Sequence, residues 1–170
     1  MAIHIRGAVP GDAESIGAIY NQGIEERVAT FETQPRTASD ILVRLGEAER
    51  FPILVAVDGD RVVGWAGLSS YRPRACYAGI AEFSIYFDRA ARGRGLGRQL
   101  LTALIDAARD RGCWKLVSRV FTFNAASRAV CRSCGFREVG IYEKHARLDG
   151  RWLDVVIVER LIVENVDTGD

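Results

Sequence analysis

Residues 92 to 97 of the 170-residue chain read Arg-Gly-Arg-Gly-Leu-Gly, a run of glycines and guanidinium groups suited to holding phosphate. They follow an alternating run, Ala81 to Phe87, and precede a helical pattern with Leu96, Leu100, Leu101, Leu104, Ile105 and Ala108 on one face. A strand, a glycine turn and a helix start leave the first helical N–H groups pointing at an anion, which the helix dipole also favours. Glycines let the backbone turn sharply and come close to the ligand. Arg89, Arg92, Arg94 and Arg98 add donors suited to phosphate. A solvated basic turn would have the same composition, so the spacing must decide. A nucleoside-triphosphate loop would end in Gly-Lys-Ser or Gly-Lys-Thr, and no such ending is present. A dinucleotide fingerprint would space its third glycine further off, whereas Gly93, Gly95 and Gly97 are evenly spaced.

The strand ahead of this turn carries a candidate base. Alternation places Ala81, Phe83, Ile85 and Phe87 on one face and Glu82, Ser84 and Tyr86 on the other, so the Glu82 carboxylate is expected in the middle of a buried strand. Burial would disfavour its charged form and raise its pKa toward the range useful for proton abstraction. The competing reading is a structural Glu82 neutralised by an arginine such as Arg74 or Arg119. Cys131-Arg132-Ser133-Cys134 is the other reactive pairing. A redox pair uses a helix N-terminus, but this one falls at a helix end before Gly135. Zinc would need Cys76 and Cys113 as further ligands, and these make no second close pair, so reduced thiols and no metal are expected.

The elements that must position these groups form a mixed order without internal repeats. Ile3 to Arg6 is a short strand, and Pro10-Gly11-Asp12 opens a helix carrying Ile16, Ile19 and Tyr20. A second helix starts at Ser39. Strands at 53–57 and 62–68 flank Asp58-Gly59-Asp60-Arg61, a hairpin signal. After a loop around Tyr71 to Tyr77 come the strand at 81–87, the glycine turn and a helix to about Arg111. Lys115 to Phe121 is a strand, Asn124 caps a helix to about Cys134, and Gly135 ends it. Strands at about 139–148 and 152–162 turn at Asp149-Gly150. The fold class is therefore α/β (α+β), a central sheet with helices on both faces in one domain over residues 1–163, followed by a disordered polar tail over 164–170.

Composition agrees with a small-molecule enzyme. A chain with 48% hydrophobic residues can bury one sizeable core. A formal net charge of +1 leaves no nucleic-acid footprint, and the basic residues gather at the glycine turn, which points to a small anionic ligand. With no leader pattern and no apolar run near 18 residues, neither secretion nor a membrane is indicated, and a cytoplasmic protein is expected.

Arg92, Gly95 and Gly97 fit the signature Arg/Gln-x-x-Gly-x-Gly/Ala, and through it the chain resembles the GCN5-related N-acetyltransferases. Glu25, Phe31, Pro35, Ala81-Glu82, Ser84, Tyr86, Asn124, Ser127, Gly135-Phe136, Gly150-Arg151-Trp152 and Asp154 extend the likeness, over nearly the whole chain, to phosphinothricin-type acetyltransferases. The closing stretch from Asp154 to Leu161 looks like the arsinothricin branch. The resemblance implies a mostly antiparallel sheet, acetyl-coenzyme A as cosubstrate, and a homodimer. It further implies transfer to the α-amino group of glutamate-like amino acids such as phosphinothricin, methionine sulfoximine or arsinothricin. In that frame Glu82 is the general base. Ile85, Tyr86 and Phe87 bond the pantetheine arm, Gly93 to Arg98 hold the pyrophosphate, and Asn124 and Ser127 lie near the arm. The family often has a tyrosine or histidine four residues before Gly135, a position from which it can reprotonate the thiolate. This chain has Cys131 there, whose thiol, with a pKa near ~8.5, could donate that proton or simply fill core. For a substrate with two anionic groups, Arg72, Arg74, Ala75 and Tyr77 before the strand are the expected contacts, with Phe31 and Glu32 closing over it. Rival readings are acetylation of a protein N-terminus, a polyamine or another small amine, and a non-catalytic acyl-coenzyme A sensor. The sensor could have lost Glu82, which is present.

Overall fold

The Asp58-Gly59-Asp60-Arg61 signal forms a tight hairpin with Gly59 at φ +62°, joining β2 (Ile53–Asp58) to β3 (Arg61–Ser70). A computed structural model describes residues 2–166. With β1 (Ile3–Gly7), β4 (Ile80–Phe87), β5 (Lys115–Phe121), β6 (Arg137–Leu148) and β7 (Arg151–Leu161), these strands form one sheet in the order β1-β2-β3-β4-β5-β7-β6. Every pairing is antiparallel except that of β4 with β5.

Strand alternation splits the core into two layers. On one face α1 (Ala13–Glu26) and α2 (Ala38–Leu45) bury Ile16, Ile19, Tyr20, Ile24 and Ile41 against Ile53, Val55, Val57 and Trp65. On the other, α3 (Leu96–Asp110) sets Leu100, Leu101, Leu104 and Ile105 against Ala66, Leu68, Ala81, Phe83 and Leu116. The apolar face of α3 read from its period is the face it buries. α4 (Ala125–Ser133) starts where Asn124 Oδ1 accepts from the Ser127 N–H at 3.1 Å, and ends before Gly135 at φ +82°.

Two expectations are corrected. Pro10–Asp12 is a 3-10 turn ahead of α1, not its first turn, because Asp12 is tied to Arg6 at 2.7 Å and accepts from the Val9 N–H at 2.8 Å. The boundary at residue 163 also moves. Val163–Val166 form a short helix, α5, rather than the start of a disordered tail. Asn165 Nδ2 donates to the Arg109 and Cys113 carbonyls at 2.9 and 2.8 Å, satisfying the open end of α3. Residues 167–170 lie outside the described residues. Replacing Asn165→Ala removes both bonds and should lower stability by about 1–2 kcal/mol in urea unfolding. An unchanged midpoint would mean that this docking contributes nothing.

Candidate active site

β4 and β5 pair only from Ile80–Lys115 to Glu82–Val117. Beyond that point β4 stays bonded to β3 as far as Phe87, and β5 to β7 as far as Phe121, so the two inner strands part like a fork. Ser118 Oγ donates to the Phe83 carbonyl at 3.1 Å across the crotch. Backbone groups alternate along a strand. Asp88 N–H bonds the Val63 carbonyl on the β3 side, so Ile85 and Phe87 turn their N–H groups toward the gap, where no strand meets them.

Two cavities meet in this gap, with Ala29, Ile85, Tyr86, Asn124 and Ser127 as their common wall. The first, about 480 Å3, runs from Glu26, Val28 and Ala29 past Tyr86 and Phe87 to the glycine turn. Gly93 and Gly95 adopt φ +77° and +74°, a region side chains disfavour, and Gly95 leads into α3 with no side-chain cap. The opening N–H groups of a 15-residue helix thus face the cavity. Gly97 is tightly packed: a Cβ there would lie 3.0 Å from the Val130 side chain of α4, which would have to give way slightly. Asn124 does two jobs, since its Nδ2 also donates to the Val28 carbonyl at 3.1 Å and ties the loop after α1 to the gap.

The arginines of the turn are not free donors. Arg92 forms a two-pronged bond to Glu26 at 2.6 and 2.7 Å and reaches the Phe87 carbonyl, and Arg94 pairs with Asp58 at 3.0 Å. The Arg92 hydrogen bonds hold the Glu26 carboxyl below the usual range, so it stays charged. Arg98 is exposed on α3 and lines neither cavity. The cradle is therefore made of backbone, with Arg92 and Arg94 fixing the turn to α1 and to the β2–β3 hairpin.

The second cavity, about 420 Å3, contains Glu82, Ser84, Ser118, Arg119, Phe121 and His145. Phe31 and Glu32 line it, Phe31 edge-on to Phe121 with ring centres 4.8 Å apart and Glu32 paired with Arg36 at 2.9 Å. Tyr20 and Tyr86 line it as well, each stacked on Trp65, and burial pushes the Tyr86 phenol pKa up, against the pull of a hydrogen bond from Thr30.

Three expectations fail here. Glu82 is not sealed in the sheet: its side chain is 27% exposed and both oxygens lie 3.2–3.3 Å from Arg119 Nη2. Its carboxylate is partly open to the cavity, because the fork opens immediately after it. Cys131 is 2% exposed, packed among the α3 core residues and outside both cavities. Burial, chiefly, pushes its thiol pKa up to about 12, which suits a core residue and not a proton donor. Arg72, Arg74, Ala75 and Tyr77 line neither cavity; Arg72 stacks on Tyr71 at 5.1 Å and Arg74 on Tyr77 at 5.9 Å, so the loop satisfies its own cations.

Of the two arginines the sequence offered as partners of Glu82, the structure pairs Arg119 and not Arg74; the residues that sequence reading passed over are Glu26, Ser118 and His145. Arg119 follows from register: Glu82 pairs with Val117, so Arg119 lies two residues on and on the same face. His145 reaches the cavity through a bulge. Between Tyr142–Val155 and Ala146–Leu153 β6 gains two residues on β7, with Lys144 at φ +46° and its N–H held by Asp154 Oδ1 at 2.7 Å.

A family model described as Acetyltransferase (GNAT) family matches residues 18–136. The chain belongs to this acetyltransferase family. It is 35% identical to the L-methionine sulfoximine/L-methionine sulfone acetyltransferase of Pseudomonas aeruginosa over 94% of each chain. A phosphinothricin acetyltransferase from Sinorhizobium meliloti, solved in complex with acetyl-coenzyme A, superposes with a TM-score of 0.92 at 31% identity, covering 99% of this chain and 93% of that one. A ribosomal-protein-alanine N-acetyltransferase from Brucella melitensis superposes with a TM-score of 0.90 at 35% identity, covering 94% of this chain and 99% of that one. The mixed α/β sheet and the phosphinothricin-type likeness read from the sequence both hold.

The burial of Cys131 gives a direct check. Under native conditions near pH 8, iodoacetamide should label exposed Cys76 while Cys131 stays unmodified by mass spectrometry. Fast labelling of Cys131 in the folded protein would return it to the site.

Proposed function

We propose that the protein is an acetyl-coenzyme A-dependent N-acetyltransferase for the α-amino group of glutamate-like amino acids with a tetrahedral head, the class of phosphinothricin, methionine sulfoximine and arsinothricin. One observation carries this reading: an anion cradle and a carboxylate-bearing cavity communicate through a gap edged by unpaired strand backbone. The parts of acetyl-coenzyme A fit that order. The helix-opening N–H groups at Gly95 to Gly97 suit its pyrophosphate, Ile85 and Phe87 offer the arm the bonds of an added strand, and the Glu82 cavity lies beyond.

When bound, acetyl-coenzyme A supplies an activated acyl group as a thioester. The chain supplies the rest. An ammonium has no lone pair for attack, so Glu82 takes its proton, directly or through a water in the cavity. The N–H groups facing the gap suit the developing charge on a carbonyl oxygen. Phe31 and Glu32 cover the substrate from the loop after α1. Exposed Val139, Ile141 and Tyr142 on edge strand β6 support a homodimer.

The test is thiol release from acetyl-coenzyme A with phosphinothricin, methionine sulfoximine, arsinothricin, glutamate, spermidine, an aminoglycoside and an alanine-starting peptide. The tetrahedral amino acids should have the highest kcat/KM; a preference for the peptide or the aminoglycoside with the mimics inert would overturn the substrate class. Glu82→Gln should lower turnover about 10²-fold at neutral pH while coenzyme A affinity stays the same. Normal turnover from the variant would remove Glu82 as the base. Gly95→Asp, with a side chain and a negative charge in the cradle, should abolish coenzyme A binding by calorimetry, and unchanged binding in the folded variant would remove the cradle.

A further inference from the structure

A substrate with two anionic groups needs cations, and the loop arginines do not reach the cavity. Among the described residues, Arg119 is the one arginine or lysine that lines it. Its guanidinium is only partly used. Nη2 donates to both Glu82 oxygens at 3.2 and 3.3 Å, and Nη1 lies 3.5 Å from His145 Nε2. Arginine has no acceptor, so in that contact the imidazole nitrogen accepts. Arg119 keeps 48% of its side chain exposed and Glu82 27%, so both present charge to the same space. The fork opens directly after the last β4–β5 pairing, Glu82–Val117, and Arg119 lies two residues into it.

We propose that the Glu82–Arg119 pair is the receptor for the zwitterionic end of the amino-acid substrate, the α-carboxylate binding Arg119 as the ammonium binds Glu82. In an α-amino acid the two charges sit on one carbon. They can therefore insert into an open ion pair, each end meeting its opposite. Half-exposed ion pairs are weak, so exchanging the partners costs little, while the arginine fork suits a carboxylate. The exchange also frees Glu82 from Arg119 at the moment an ammonium arrives to be deprotonated. A simple amine can occupy Glu82 but leaves Arg119 where it was, and the base stays engaged. Arg119 thus decides between amino acids and other amines. His145, delivered by the bulge that Asp154 holds, is a positioning residue for Arg119.

This inference rests on the amino-acid reading above, and the test separates the two. For the wild type, Arg119→Gln and Arg119→Lys, kcat/KM is measured with methionine sulfoximine and with its decarboxylated amine, and binding of both is followed by calorimetry. The half-exposed position makes both variants expected to fold, which a melting curve checks. The wild type should strongly prefer the amino acid. Arg119→Gln should lower the amino-acid to amine ratio about 10- to 100-fold, through a raised KM and weaker binding of the amino acid, and Arg119→Lys should recover part of it. A ratio unchanged in Arg119→Gln, or a wild-type ratio near one, overturns the receptor. A wild type that acetylates the peptide but neither probe overturns the substrate reading instead.

Discussion

The parting of β4 from β5 after the Glu82–Val117 pair is the constraint on which the site depends. A sheet normally pairs every interior backbone group, because an unpaired one in the protein interior is costly. Here two central strands are each held by an outer neighbour, and the seam between them is left open for half the length of β4. Ser118 closes the crotch with one hydrogen bond, and cavities on either side take the remaining space. The two-layer core makes this tolerable: α3 secures one face of β3 and β4, and α1 with α2 secures the other.

Charge around the seam is arranged so that little of it is unpaired without a ligand. Arg92 and Arg94, which look like phosphate donors in the sequence, are committed to Glu26 and Asp58. They shape a turn whose binding capacity lies in its backbone. Arg119 is committed to Glu82 in the same way, but in a half-exposed cavity where the commitment is reversible. The same residue type thus serves as scaffold in one place and receptor in the other, and exposure decides which.

Local chemistry made much of this legible in the sequence. The hairpin at Gly59, the cap at Asn124, the stop at Gly135 and the apolar face of α3 each express a short-range rule and appear where that rule puts them. The glycine turn was legible too, since φ values near +75° at Gly93 and Gly95 favour glycine. What was not legible depends on pairings far apart in the chain. Glu82 reads as buried because the alternation of β4 is intact, and only the register with β5 reveals the opening beside it. The choice of Arg119 over Arg74 as the partner of Glu82 comes from that register, and His145 enters through a two-residue bulge that no local pattern announces. Cys131 and the Arg72–Arg74 loop misled in the opposite sense: reactive residue types that the fold spends on core packing and on stacking with Tyr71 and Tyr77.

The open seam itself can be measured. Amide hydrogen exchange at Ile85 and Phe87, compared with Ala81 on the paired part of β4, reads whether backbone there lacks a partner. An open seam requires fast exchange at Ile85 and Phe87 in the free protein and strong protection of both on adding coenzyme A, with Ala81 slow throughout. Slow exchange at Ile85 and Phe87 without ligand, or no protection when coenzyme A is bound, would contradict it.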